Sequence, residues 1–191
     1  MKFKKIPDNT IANIIKNYQL SEELAQQIQP DMAPDEFLQL TADRELYTDA
    51  VAFMAHALPL RESIYWAFLT VTFLKDKFTD EISARIPGTV EAWFKSSDEA
   101  NRRICGELAD ALQLKNGPAW LAEAVFWSGG SILSPKDPET QPPAFLYAKA
   151  VFGAVCLSIS LDEEDPSVIK ANFKKALRIA FNIAQGGDGK I

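Results

Sequence analysis

The chain has 191 residues, 47% of them hydrophobic and 24% charged, which is enough to bury one substantial core and too apolar for disorder. Its formal net charge of -6 argues against the broad basic surface that phosphate neutralisation demands, so neither nucleic acid nor an anionic membrane is an expected partner. Cys105 and Cys156 stand far apart without a CxxC pair or histidines around them, which fits small buried hydrophobes in a reducing compartment and a cytoplasmic location.

The start, "MKFKKIPDNT", has basic residues but no apolar run after them, so no secretory signal is expected. Apolar residues then recur at spacings of three and four, and period-2 runs are nearly absent. A first amphipathic pair spans about residues 8–29, with Ile11, Ile14, Ile15 and Tyr18, then Leu24 and Ile28 behind a Ser21 cap. Pro34 opens a short helix holding Phe37, Leu38 and Leu40. Arg44 to Leu58 forms the next, closed by Pro59, which opens a helix from Leu60 to Lys77 that is apolar almost all round and so central.

Pro87 and Gly88 interrupt the chain before a short helix with Val90, Trp93 and Phe94. Ser96 and Glu99 form an S-x-x-E capping box for a helix reaching about Leu114. "AWLAEAVFW" follows Asn116-Gly117-Pro118 and stops at Gly129 and Gly130. The polar loop Ser134–Pro143, "SPKDPETQPP", is the longest irregular stretch and the best candidate for a partner-facing element. A buried helix from Ala144, the acidic turn "LDEED" and a last helix capped by Asp165 and Pro166 complete the chain near Gly186 and Gly187.

The expectation is an all-α fold, a single compact array of about eight helices. Residues 1–42 would pack as N-terminal helices on a 43–187 core, with 188–191 a disordered tail. Two apolar stretches fail as membrane spans. "SIYWAFLTVTFL" is shorter than the roughly 20 residues a span needs, and "AFLYAKAVFGAVCLSIS" holds Lys149 in its middle.

Chemistry is harder to find. His56, the only histidine, lies near Arg61 and Glu62 across the Pro59 bend. A general base oriented by Glu62, with Arg61 holding an anion and Arg102 assisting, would make a ligand site or an enzyme. Against it, each group has a structural use. His56 faces the negative end of its helix dipole, and Arg61 can fork onto the carbonyls before Pro59 or pair with an acid. Glu62 suits a first turn and can meet Arg102 or Arg103. No nucleophile is identifiable nearby, so no catalytic residue is assigned, and the structural reading weighs more.

"WSGGS" follows a helix, lacks the P-loop lysine, and reads as a helix stop. No HExxH, ExxH or Cys/His cluster is present, so neither a metal nor another cofactor is implied. Lys149 is expected to snorkel from its apolar helix, and Trp66, Trp93, Trp120 and Trp127 to fill the core near helix ends before serving recognition.

The segments "FMAHALPLRESIYWAFL", "PAWLAEAVFWSGGSI" and "AKAVFGAVCL", with Trp93, Asn101 and Arg102 between, resemble an uncharacterised bacterial family patterned A-H-A-L-P-x-R-E-A-x-W-W-A, then F-W-S-G-G-S. The match would run from about residue 45 to the final Gly-Gly. His56, Leu58, Pro59, Arg61, Glu62, Trp66, Trp127, Gly129 and Gly130 fit, while Ser63 and Tyr65 depart from it. The resemblance implies association with type VI secretion gene clusters and an accessory, adaptor or chaperone-like role. It brings no activity and no site residues. The expected partner is therefore another protein, a secretion effector or component, with self-association left open.

Overall fold

The computed structural model describes residues 3–191; Met1 and Lys2, at the start of the N-terminal segment, lie outside the described residues. Among the described residues there are ten α-helices and no strand, and eight of those helices have ten residues or more. The amphipathic pair foreseen over 8–29 shrinks to two single turns, α1 (Ala12–Ile15) and α2 (Glu22–Ala25). So short a helix is marginal by itself. Burial of Ile11, Ile14 and Leu24 holds these turns, helped by the Ser21 hydroxyl accepting the Leu24 N–H. Then α3 (Pro34–Asp43) lays Phe37 against Phe53 of α4 (Tyr47–Ala57), ring centroids 4.4 Å apart.

Pro59 sets the bend. It forces Leu58 into extended backbone, so α4 ends and α5 (Leu60–Phe73) begins in a new direction. Ser63 on α5 donates back to the Ala55 carbonyl at 2.9 Å and pins the corner. Ile64, Trp66, Ala67, Thr70 and Val71 are buried, which makes α5 the central rod foreseen from its all-round apolarity. A 3-10 turn, Lys75–Lys77, ends it a little earlier than the sequence suggests.

Pro87 does not break the chain. It lies inside α6 (Glu81–Ser96), although an interior proline removes one backbone bond and costs about 3 kcal/mol. Burial of Ile86, Val90 and Trp93 on one continuous face outweighs that cost. The capping box is also displaced. Ser96 ends α6, and α7 (Glu99–Ala111) is capped by Asp98, whose carboxylate accepts the Asn101 N–H at 2.7 Å. This leaves Glu99 free for another use. Asn116 caps α8 (Gly117–Phe126), and its side-chain amide donates to Ser83 of α6 at 2.8 Å. After the loop come α9 (Leu146–Ser160) and α10 (Pro166–Ala184), the latter opened by Asp165 and Pro166 as expected.

Helices α5 and α9 form the middle of the array, with α4, α8 and α10 around them and α6 and α7 beyond α8. One hydrophobic cluster runs from Ile6 to Ala184. Within 188–191, expected as a disordered tail, Gly189 is buried and its N–H donates to Asn182 at 2.7 Å, while Asp188, Lys190 and Ile191 are exposed. Among the described residues no helix is long and apolar enough to cross a membrane.

Helix α8 packs closely on α9, and small residues permit it. A Cβ at Gly117 would stand 1.8 Å from the Ser158 hydroxyl, and one at Gly153 2.8 Å from the Trp120 ring. Gly117→Ala should therefore lower the urea-unfolding free energy by about 1–3 kcal/mol through overpacking. An unchanged midpoint would contradict so close an approach.

Candidate functional site

The polar groups around Pro59 diverge. His56 is 5% exposed, and its Nδ1 lies 2.8 Å from the Ala52 carbonyl, so Nδ1 carries the proton. Its ring stacks on Tyr18 at 4.8 Å, with Phe145 on another side at 6.0 Å. The His56 Nε2 and the Tyr18 hydroxyl are both buried without a hydrogen-bond partner among the described residues. Burial, and to a lesser degree the charge of Lys149, pushes the imidazole pKa below its ordinary value. Burial first, then Asp49, keeps the Tyr18 phenol protonated.

Arg61 turns the other way. Its guanidinium donates to the Phe94 carbonyl and, at 2.8 Å, to the Ser97 hydroxyl, and lies over the Trp93 and Phe94 rings. The carbonyl it caps lies in the last turn of α6, not in the helix before Pro59, because α6 brings its C-terminus and two aromatic faces alongside the first turn of α5. Glu62 meets neither Arg102 nor Arg103; it pairs with Lys5 at 2.8 Å. Arg61 and Glu62 share a shallow groove of about 280 Å³ with Tyr65 and Phe94, while His56 and Arg102 are engaged elsewhere.

Arg102 is the most elaborated of the set. At 4% exposure it forks onto Glu99, with 2.6 and 2.7 Å bonds, and also donates to the Phe126 carbonyl and, at 2.9 Å, to the Ser131 carbonyl. It stacks on the Phe126 ring 4.9 Å away. Gly130 makes room: its φ of +67° is left-handed, and a Cβ there would lie 3.0 Å from the guanidinium. Arg103 adds a 2.7 Å bond to Glu99 and a 2.6 Å bond to the Leu133 carbonyl. Hydrogen bonds from Arg102, then Arg103, hold the Glu99 pKa at about 2 against the opposing push of burial.

The loop after α8 is thus fastened at its base. The Ser131 hydroxyl accepts the Thr140 N–H at 3.1 Å, Ile132 donates to the Thr140 carbonyl at 2.9 Å, and residues 133–141 are exposed beyond that clasp.

A family of unknown function, DUF6931, matches residues 37–184. The chain belongs to that family. No curated protein and no solved structure matches it. The DUF6931 segment begins in α3, one helix earlier than the resemblance implies, and ends with α10. It holds His56, Arg61, Glu62, Trp66, Arg102, Trp127 and Lys149, and leaves α1 and α2 outside.

Of the remaining candidates in the DUF6931 segment, Trp66 is fully buried and donates its indole N–H to the Ala176 carbonyl at 2.8 Å. Trp127 is half-buried and meets Trp120 edge-on at 6.4 Å. Lys149 is exposed. Burial pushes both thiols, Cys105 and Cys156, up to about 12, so neither presents a thiolate at neutral pH. Among the described residues no group of three or more His, Cys, Asp or Glu is placed to hold a metal.

Sequence reasoning missed Glu123, the lone acid in "AWLAEAVFW". It is 7% exposed on α8, and burial, with Asp110 adding repulsion, pushes its pKa to about 7. An acid inside an apolar helical run was the available signal.

Truncating Arg102 orphans the Phe126 and Ser131 carbonyls and removes its packing on the Phe126 ring, while exposed Glu99 can turn to water, so Arg102→Ala should cost about 2–3 kcal/mol in chemical denaturation. Arg61→Ala, at an exposed guanidinium, should cost about 1 kcal/mol. Equal losses would contradict this ranking.

Two buried groups give opposite pH signatures. The His56 pKa is depressed, so its contribution is intact above its ordinary 6.5 and fades as pH falls below that. The Glu123 pKa is raised, so its contribution is intact below 4.5 and lost as pH rises through about 7. Glu123→Gln should accordingly melt higher than the parent at alkaline pH and equally at acid pH; a pH-independent difference would count against a buried neutral carboxyl.

Proposed function

We propose that the chain is a non-enzymatic, cytoplasmic protein-interaction module that meets its partner through the loop Ser134–Pro143. In its narrower form, the proposal is an adaptor or chaperone-like accessory of bacterial type VI secretion, whose partner is a secretion effector or component. The observation that carries the reading is a rigid base beneath an exposed tip. Arg102, Arg103 and Ser131 fasten the start of the loop to α7 and α8, while residues 134–141 stand in solvent.

Such an arrangement presents polar, proline-bearing backbone at a fixed place and keeps the ordering cost of binding low. Beside it lie the exposed apolar side chains Ile104 and Leu133, 39% and 41% exposed, next to Arg103 in sequence and through its carbonyl bond respectively. The secretion context rests on the resemblance of the "AHALPLRE" and "FWSGGS" segments. The alternative ligand or enzyme site finds less support, since His56 and Arg102 point away from the groove shared by Arg61 and Glu62, and those two are engaged with Phe94 and Lys5.

Affinity purification from the encoding bacterium, with the full chain and with residues 134–143 replaced by a Gly-Ser linker of equal length, tests this. One defined protein should co-purify with the parent and be lost with the replacement. Retention of that protein by the linker variant would remove the loop from the interface.

A further inference from the structure

The chain is acidic, yet α10 carries Lys170, Lys174, Lys175 and Arg178 and no acid between Pro166 and Ala184. Two of these charges are used within the fold. Lys170 pairs with Glu45, and Lys175 lies over the Phe73 ring at 4.3 Å. The other two, Lys174 and Arg178, are one helical turn apart and exposed. Lys174 adds a weaker, longer-range attraction to Glu45 beyond the Lys170 bond. Both stand on the rim of a groove of about 330 Å³ between α3, α4 and α10. Its floor and walls are apolar, made by Leu38, Ala50 and Leu177, which are buried, and by Tyr47 and Phe181, which are half-buried. On the opposite rim Asp43 already accepts the Gln39 amide at 2.7 Å.

We propose that this groove is a second docking face, for an acidic amphipathic segment of a partner protein. An apolar or aromatic side chain of that segment would fill the floor, and carboxylates one turn apart would meet Lys174 and Arg178. The apolar insertion supplies most of the affinity. The rim charges choose the sign of the partner and speed its arrival, because ion pairs in water add little on their own. A small amphiphilic acid fits less well: ligand pockets bury most of a small molecule, and this groove is only half enclosed. A helical or extended peptide gains further contact along α10 that a metabolite would forgo.

The face is independent of the loop proposed above. That loop is fastened to α7 and α8, whereas α10 packs chiefly on α5, α4 and α9.

The test is a titration of isotope-labelled full-length chain, followed by amide chemical shifts. The probe is a synthetic peptide with Glu on one helical face and Leu and Phe on the other. Shifts should concentrate at Tyr47, Ala50, Leu177 and Phe181, weaken with added salt, and persist in the linker variant of the loop. Persistence there separates this proposal from the loop reading, since failure of either leaves the other standing. The double reversal Lys174→Glu with Arg178→Glu, at exposed positions, should weaken binding about tenfold, whereas Lys4→Glu with Lys115→Glu, an equal change in net charge, should leave it near the parent value.

Several results would overturn the proposal. They are equal binding by a Lys-for-Glu peptide, equal binding by an acidic peptide with Ser in place of Leu and Phe, and an undiminished affinity in the Lys174/Arg178 double variant. So would the same shifts produced by decanoate at comparable affinity, which would make the groove a small-molecule site. The same shifts on raising the protein concentration alone would make the occupant a second copy of the chain.

Discussion

A buried guanidinium is the constraint on which the outer half of the structure depends. Arg102 cannot shed its charge, so removing it from water demands a full set of acceptors. Glu99 provides the countercharge and takes two N–H groups, and the Phe126 and Ser131 carbonyls take one each. To satisfy one side chain, the chain must bring the first turn of α7 against the last turn of α8. It must then reverse through a left-handed Gly130 and return a carbonyl to the same cation. The position of the loop base follows from that requirement.

The same device recurs in weaker form. Helix C-termini leave carbonyls unpaired and carry partial negative charge, so a cation from a neighbouring helix stabilises the end it reaches. Arg61 does this for α6, and Lys77 for α9 through a 3.2 Å bond to the Ile159 carbonyl. These contacts orient rods that hydrophobic burial alone would allow to slide. They also engage Arg61 and Arg102, two of the polar groups that look most like chemistry.

How much of this was legible in the sequence follows the range of the interaction involved. Periodicity identified the central helix from Leu60, because a helix apolar all round and too short to span a bilayer must be covered by its neighbours. Pro59, Pro34 and the Asp165-Pro166 pair marked boundaries correctly, since backbone restriction is local. Pro87 misled for the complementary reason: a local rule was overridden by a continuous buried face. Ser96 was one helix too early as a cap because Asp98, two residues on, competes for the same amides and accepts the Asn101 N–H.

Side-chain destinations were the least legible. Arg61, Glu62 and Arg102 had plausible partners around Pro59, yet Arg61 reaches Phe94 of α6, Glu62 reaches Lys5 of the N-terminal segment, and Arg102 pairs with Glu99 of its own helix and reaches across to Phe126 of α8. Nothing local ranks those options. The charge pattern of α10 was readable at spacing four, but the groove beside it needs α3 and α4 in place before it exists.

Hydrogen–deuterium exchange on Arg102→Lys tests the central claim most directly, since lysine keeps the charge and loses the fork. The account predicts faster exchange at the amides of Ser128, Ile132, Leu133 and Thr140, with α5 and α9 protected as in the parent. Unchanged exchange at those four amides would contradict it, as would a loss of protection spread evenly through the core.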